Sequence, residues 1–150
     1  MSYKNFSTSI FYTAYDLDAI RKDNLFEDLY DFFSNHINFD KVYLETFRGS
    51  FCLPKEDMLV CKKFFESKGI KVSGAITTTQ KGDGSASFHS LCYSDPEQVT
   101  QLCDIVAYTA SIFDEIILDD FYFTNCKCDL CINNKGSRSW SDFRPTQMAE

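Results

Sequence analysis

The sequence contains no apolar run approaching the roughly 20 residues that span a bilayer, and its opening, Met1 to Ser7, lacks the apolar stretch of a secretory signal. No membrane partner is therefore expected. As written the chain reads as cytoplasmic, or as secreted or periplasmic if a signal peptide has been removed. It is also short of positive charge: 15 Lys and Arg stand against 22 Asp and Glu, a formal net charge of −7. That balance repels a phosphate backbone, and no Lys/Arg stripe interleaves with the aromatic residues, so nucleic acid is not an expected partner. A glycine-rich first turn is missing as well. Tyr15-Asp16-Leu17-Asp18 stands where a doubly wound nucleotide-binding sheet would carry it. The seven cysteines are odd in number, which argues against a closed disulfide framework and leaves metal ligation or simple burial for some of them.

What is present suits one layered domain of 150 residues. The 15 Phe, 8 Tyr and 1 Trp give more aromatic bulk than folding alone needs, and such rings serve flat ligand surfaces as well as cores. Runs rich in β-branched and aromatic residues predict strands over Ser9–Tyr15, Lys41–Phe47, Lys71–Thr77 and Glu115–Asp120, the last a fully buried run ending in two acids. Between them lie helical periods. One starts at Asn24, with Leu25, Leu29, Phe32, Phe33 and Ile37 as its apolar stripe and a solvated His36 in its last turn. Another opens near Pro54, buries Met58, Cys61, Phe64 and Phe65, and stops at Gly69.

Thr78 to Ser94 reads as a long polar loop, and Asp95-Pro96-Glu97-Gln98 as a capped start for a helix running to about Phe113 through Val99, Leu102, Cys103, Val106 and Ile112. Ser139 or Ser141 opens a last helix with Trp140 and Phe143. Strand and helix alternate with short returns, which implies parallel strands, and strand starts about 30 to 45 residues apart match the period of a (β/α)8 barrel of about 250 residues. The expected fold is α/β, the first four strand–helix units of such a TIM barrel, with the remainder of the barrel or a partner chain completing it.

In a parallel sheet the chemistry sits at the carboxyl ends of the strands. Those ends offer Tyr15 and Asp16, Glu45 and Arg48, Thr77 to Thr79, and Asp119 with Asp120 followed by Phe121 and Tyr122. Acids and an arginine with aromatic faces suit a polyhydroxylated ligand, so Tyr15, Asp16, Glu45, Arg48 and Tyr122 are candidate substrate-binding residues; loop solvation and helix capping are the alternative for the first acids. Two carboxylates across a bond are what glycoside hydrolysis needs, one as general acid and one as nucleophile or base. Asp119 and Asp120 are neighbours and cannot span a bond, so the second catalytic carboxylate must come from another strand. Cys126-Lys127-Cys128-Asp129-Leu130-Cys131 places three thiols within reach of one tetrahedral zinc. Cys92, in the preceding loop, is the best-placed fourth ligand, with His89 and Cys103 behind it.

Together these features resemble the amino-terminal half of the clan A glycoside hydrolases, especially the family forty-two β-galactosidases. Cys92-Tyr93-Ser94-Asp95-Pro96 with Cys126, Cys128 and Cys131 is similar to the layout that holds a structural zinc in some members. Asp119-Asp120 stands where that family carries Asn-Glu at the end of strand four. The resemblance implies a carbohydrate substrate, a structural rather than catalytic zinc, Asp120 at the acid/base position and Asp119 at that of the substrate-binding Asn. The chain departs from the family in carrying the shorter Asp and in having no match to its late-strand nucleophile. Two other functions remain open at this point, a non-catalytic carbohydrate-binding module and a zinc-stabilised interaction module.

Overall fold

A computed structural model describes residues 3–80 and 89–149. The elements in chain order are β1 (Ser9–Tyr12), α1 (Ala14–Lys22), α2 (Phe26–His36), β2 (Lys41–Arg48), β3 (Phe51–Cys52), α3 (Lys55–Ser67), β4 (Lys71–Ile76), β5 (Thr79–Gln80), β6 (His89–Ser90), α4 (Pro96–Ala110) and β7 (Ile116–Leu118). A 3-10 turn (Asp120–Tyr122), α5 (Asp129–Lys135) and α6 (Trp140–Ala149) complete them.

β1, β2, β4 and β7 are parallel neighbours in that order, with β3 folded back antiparallel on the end of β2. These are the four predicted strands, and the fold is mixed α/β. Among the described residues the sheet stays open, with β1 and β7 as its two edges and no closure into a barrel. Register separates its faces, because paired residues share a side and successive residues alternate. One face carries Tyr12, Leu44 and Gly74, and a methyl group on Gly74 would meet Thr109 and Phe113 at 2.8 and 2.7 Å, so this is the face that takes the helices. Leu17, Val42, Leu44, Leu53, Met58, Cys61 and Phe65 form its core, fully or almost fully buried, each large side chain contributing about 1.5–3 kcal/mol by leaving water. The other face carries Phe11 and Tyr43, then Glu45, Ala75 and Ile117, a mixture of aromatic, acidic, small and aliphatic residues in which Phe11 and Ile117 stay 39% exposed.

Several expectations change. The first strand ends at Tyr12 rather than Tyr15, because Thr13 and Asp16 form a reciprocal capping box that starts a helix the hydrophobic pattern did not suggest. The Thr13 hydroxyl accepts from Asp16 N at 3.2 Å, and the Asp16 carboxylate accepts from Thr13 N at 3.3 Å. In α2 no residue is fully buried; Leu29 and Phe33 lean on the core, but Phe32 is 55% exposed and Leu25 only leads into the helix. The fourth strand is three residues long and half-exposed rather than fully buried, since an edge strand has a neighbour on one side only. α4 stops at Ala110, leaving Ile112 and Phe113 buried just beyond it. Residues 78–94 contain a short hairpin of β5 and β6, while 81–88 lie outside the described residues. Gly69, with φ +75°, does end α3 as a left-handed stop, and Ser139 does open the last helix, accepting from Asp142 N at 3.2 Å. No described helix is long and apolar enough to cross a membrane.

Candidate functional site

The carboxyl ends of the parallel strands hold a connected polar network. Glu45, near the end of β2, is fully buried and accepts three kinds of donor: the Ala14 amide at the start of α1 at 2.7 Å, the Arg48 Nε at 2.9 Å and the Thr77 hydroxyl. Arg48 also donates from Nη2 to Thr77 at 3.0 Å, and Thr77 reaches the Asp119 carboxylate at 2.7 Å. A register shift between Glu45 and Phe47 turns the end of β2 so that Glu45 and Arg48 can meet. Burial works against the Arg48 charge, but Glu45 beside it overrides that and raises the Arg48 pKa above its ordinary value. Asp119 also accepts from the Phe121 amide at 3.0 Å, which caps the 3-10 turn and carries Asp120 outward to an exposed position.

The structure therefore brings Glu45, Arg48 and Asp119 together, through a Thr77 that had been noted only as part of a strand end. Tyr15 lies beside them, 50% exposed, stacked on Phe51 at 5.3 Å, with its hydroxyl donating to the Arg48 carbonyl at 3.3 Å. Phe51 carried no warning in sequence, because β3 is two residues long. Asp16 is occupied in the α1 cap, the alternative raised for it above. Tyr122 stands half-buried at the end of the 3-10 turn, its ring 5.9 Å from Tyr93 and its carbonyl accepting from the Tyr93 hydroxyl at 2.6 Å.

The second constellation is the thiol cluster. Cys92, Cys126, Cys128 and Cys131 place their sulfurs within 4.8 Å of one another. A tetrahedral metal with metal–sulfur bonds of about 2.3 Å needs sulfur separations of roughly 3.8 Å; the Cys92 sulfur lies 3.5 Å from that of Cys128 and 3.4 Å from that of Cys131, so the donor set fits a thiophilic divalent ion. Two loops are lashed together to make it. The Ser90 hydroxyl lies 3.1 Å from both the Thr124 hydroxyl and the Asn125 Oδ1 and shares its one proton between them, and Thr124 donates to the Leu91 carbonyl at 2.7 Å. Cys128 leads into α5, and the Cys131 amide draws its thiol down to about 7, whereas burial pushes Cys92 and Cys126 up. His89 lies on β6 and Cys103 is exposed on α4; neither joins the group. Pattern reading missed α5 and the Arg144 guanidinium, which lies 3.9 Å from the Cys131 sulfur.

Comparison with known proteins adds three findings. Uncharacterized protein SSO3021 of Saccharolobus solfataricus is 27% identical over 128 residues, which is 82% of this chain and 21% of that protein, so the chain spans about a fifth of the relative's length. No solved structure matches the chain significantly. A family model does match, along residues 1–150, and with it the polar network at the strand ends acquires a context: the chain belongs to the family described as "Probable glycosyl hydrolase, catalytic domain".

Proposed function

We propose that this chain forms the amino-terminal half of a (β/α)8 glycosidase barrel and supplies one acid of the catalytic pair to a carbohydrate-binding rim. The observation that carries the reading is the convergence of Glu45, Arg48, Thr77 and Asp119 at the carboxyl ends of three adjacent parallel strands. Strands that add in chain order, with the helices packed on one face and the other left partly exposed, are what half of such a barrel requires, and the β1 and β7 edges, open among the described residues, are where its remainder would pair.

Within the site the residues divide by commitment. Asp119 is held by Thr77 and the Phe121 amide, so it presents a fixed acceptor to a sugar hydroxyl. Asp120 is exposed and makes no side-chain hydrogen bond to a described residue, which leaves it available as general acid toward a leaving-group oxygen. Arg48 and the Tyr15 and Tyr122 rings contact substrate, Glu45 holds Arg48 in place, and Asp16 serves the α1 cap. The second catalytic carboxylate comes from a strand beyond these four. The thiol cluster holds a structural zinc, as the likeness to zinc-containing clan A enzymes suggests, and zinc there pins the long loops behind the rim.

The test compares Asp119→Asn and Asp120→Asn in the complete enzyme on glycosides with good and poor leaving groups. Loss of the acid spares good leaving groups, whereas loss of a binding residue lowers turnover of both. Full activity of Asp120→Asn on a poor-leaving-group substrate would remove Asp120 from the mechanism.

A further inference from the structure

Arg144 lies one turn into α6, thirteen residues beyond the last cysteine, yet its guanidinium sits against the thiol cluster. Nη1 is 3.9 Å from the Cys131 sulfur, Nη2 donates to the Cys126 carbonyl, and Nη1 donates to Gln147 at 3.1 Å. The guanidinium carbon lies 4.6 Å from the centre of the Trp140 ring and 5.7 Å from that of Phe143, so the planar ion is held on both its edge and its face. Lys127 and Lys135 also lie near the Trp140 ring, at 5.8 and 5.5 Å, but among the described residues Arg144 is the cation recorded in contact with a sulfur.

A divalent ion in four thiolates leaves a net charge of −2 in a site where Cys92 and Cys131 are buried. We propose that Arg144 is the outer-sphere partner of that metal centre, offsetting its charge and fastening α6 to it, so that metal binding orders α6 and, through α6, the turn that bears Asp119 and Asp120. The onward links are on α6 itself. Gln147 donates to Ser94 at 2.7 Å, and the Met148 carbonyl accepts from the Tyr122 hydroxyl at 3.3 Å. Tyr122 is the last residue of the 3-10 turn that Asp119 caps. Arg144 is thus a positioning residue, acting on the ligands and on the helix rather than on substrate. The inference rests on the thiols binding a metal and is independent of the glycosidase reading.

The experiment compares wild type with R144Q and R144K. Zinc affinity is measured by competition with a chromophoric chelator, the thiolate-to-metal charge-transfer band is recorded in the cobalt-substituted proteins, and amide hydrogen exchange is followed with and without zinc. Losing an outer-sphere partner weakens metal affinity about 10- to 100-fold, so R144Q shows that loss, and R144K, which keeps the charge without the fork and the stacking, falls between. The charge-transfer band moves in R144Q, a change that mere loosening of α6 would not cause. In wild type, removing zinc speeds exchange in both 140–149 and 119–124; in zinc-loaded R144Q both segments already exchange fast. Should R144Q fail to fold, R144K carries the same comparison. Equal affinity and an unchanged band in the variants overturn the proposal, as does wild-type exchange that ignores zinc in these segments. If wild type binds no zinc at all, the metal reading falls and this inference with it; if wild type and R144Q bind alike, this inference falls alone.

Discussion

Thr77 shows how much one hydroxyl can decide. It has a single proton and lies between two carboxylates, Glu45 and Asp119, while Arg48 donates to its oxygen. Removing it takes from Glu45 and Asp119 the one proton they share and from Arg48 Nη2 its acceptor. Thr77→Val keeps the shape, so the lost hydrogen bonds should account for most of a destabilisation of about 1–3 kcal/mol, read from urea unfolding; an unchanged midpoint would mean the network contributes nothing to the fold. Exposed ion pairs behave differently. Lys22, with Arg21, holds the Asp18 carboxyl below the usual carboxylate range. A folded-state pKa below the unfolded one stabilises the fold at all pH above the ordinary carboxylate value, and that stability is lost as pH falls through the lowered value. The stability gap between wild type and Asp18→Asn is therefore expected to be present at neutral pH and to shrink as pH falls below the ordinary carboxylate range. A gap of constant size in urea titrations across that range would show that charge is not its origin.

At the scale of elements, the chain depends on helix starts. Thr13 with Asp16, Asp95 with the Glu97 amide, and Ser139 with Asp142 each begin a helix by satisfying amides that have no partner of their own. The first of these also places the Ala14 amide on Glu45, so a cap fixes one wall of the candidate site. Thr13→Ala should lower stability by about 1 kcal/mol through the lost cap. Exchange of the α1 amides should rise more than that of α3, and a uniform rise in both would argue that α1 is held by packing alone. The thiol cluster is an element-level device of the same sort, because it joins the β6 hairpin, α5 and α6, none of which contributes to the main core.

At the scale of the whole molecule, the sheet's edges decide behaviour. Among the described residues β1 and β7 are each paired on one side only, and Phe11, Ile117 and Leu118 stand 38–39% exposed beside those edges. Such edges pair with whatever fits. The isolated 150-residue chain should therefore associate as its concentration rises, with a sedimentation coefficient that climbs accordingly, and should show no glycoside turnover. A stable monomer over a wide concentration range, or turnover by that monomer, would contradict the half-barrel reading.

Periodicity, turn residues and spacing were enough to determine the presence of the four parallel strands, the α3 helix with its start and stop, the start of α4 and the four clustered cysteines, because each of these is dictated by residues close together in the chain or by a repeat along it. α1 was legible in principle, since Thr13-x-x-Asp16 is a capping pattern, but the apolar run before it obscured the signal. The Glu45–Arg48–Thr77–Asp119 network, the Tyr15–Phe51 stack and the place of Arg144 beside the thiols were not legible. Their partners lie from 13 to 42 residues apart, apart from the local Glu45–Arg48 pair, and only strand register and the docking of α6 set those distances. Sequence pattern names which residues reach the rim; tertiary structure assigns each its partner, because a hydrogen bond is decided within a few tenths of an ångström and the chain alone fixes position only along its own length.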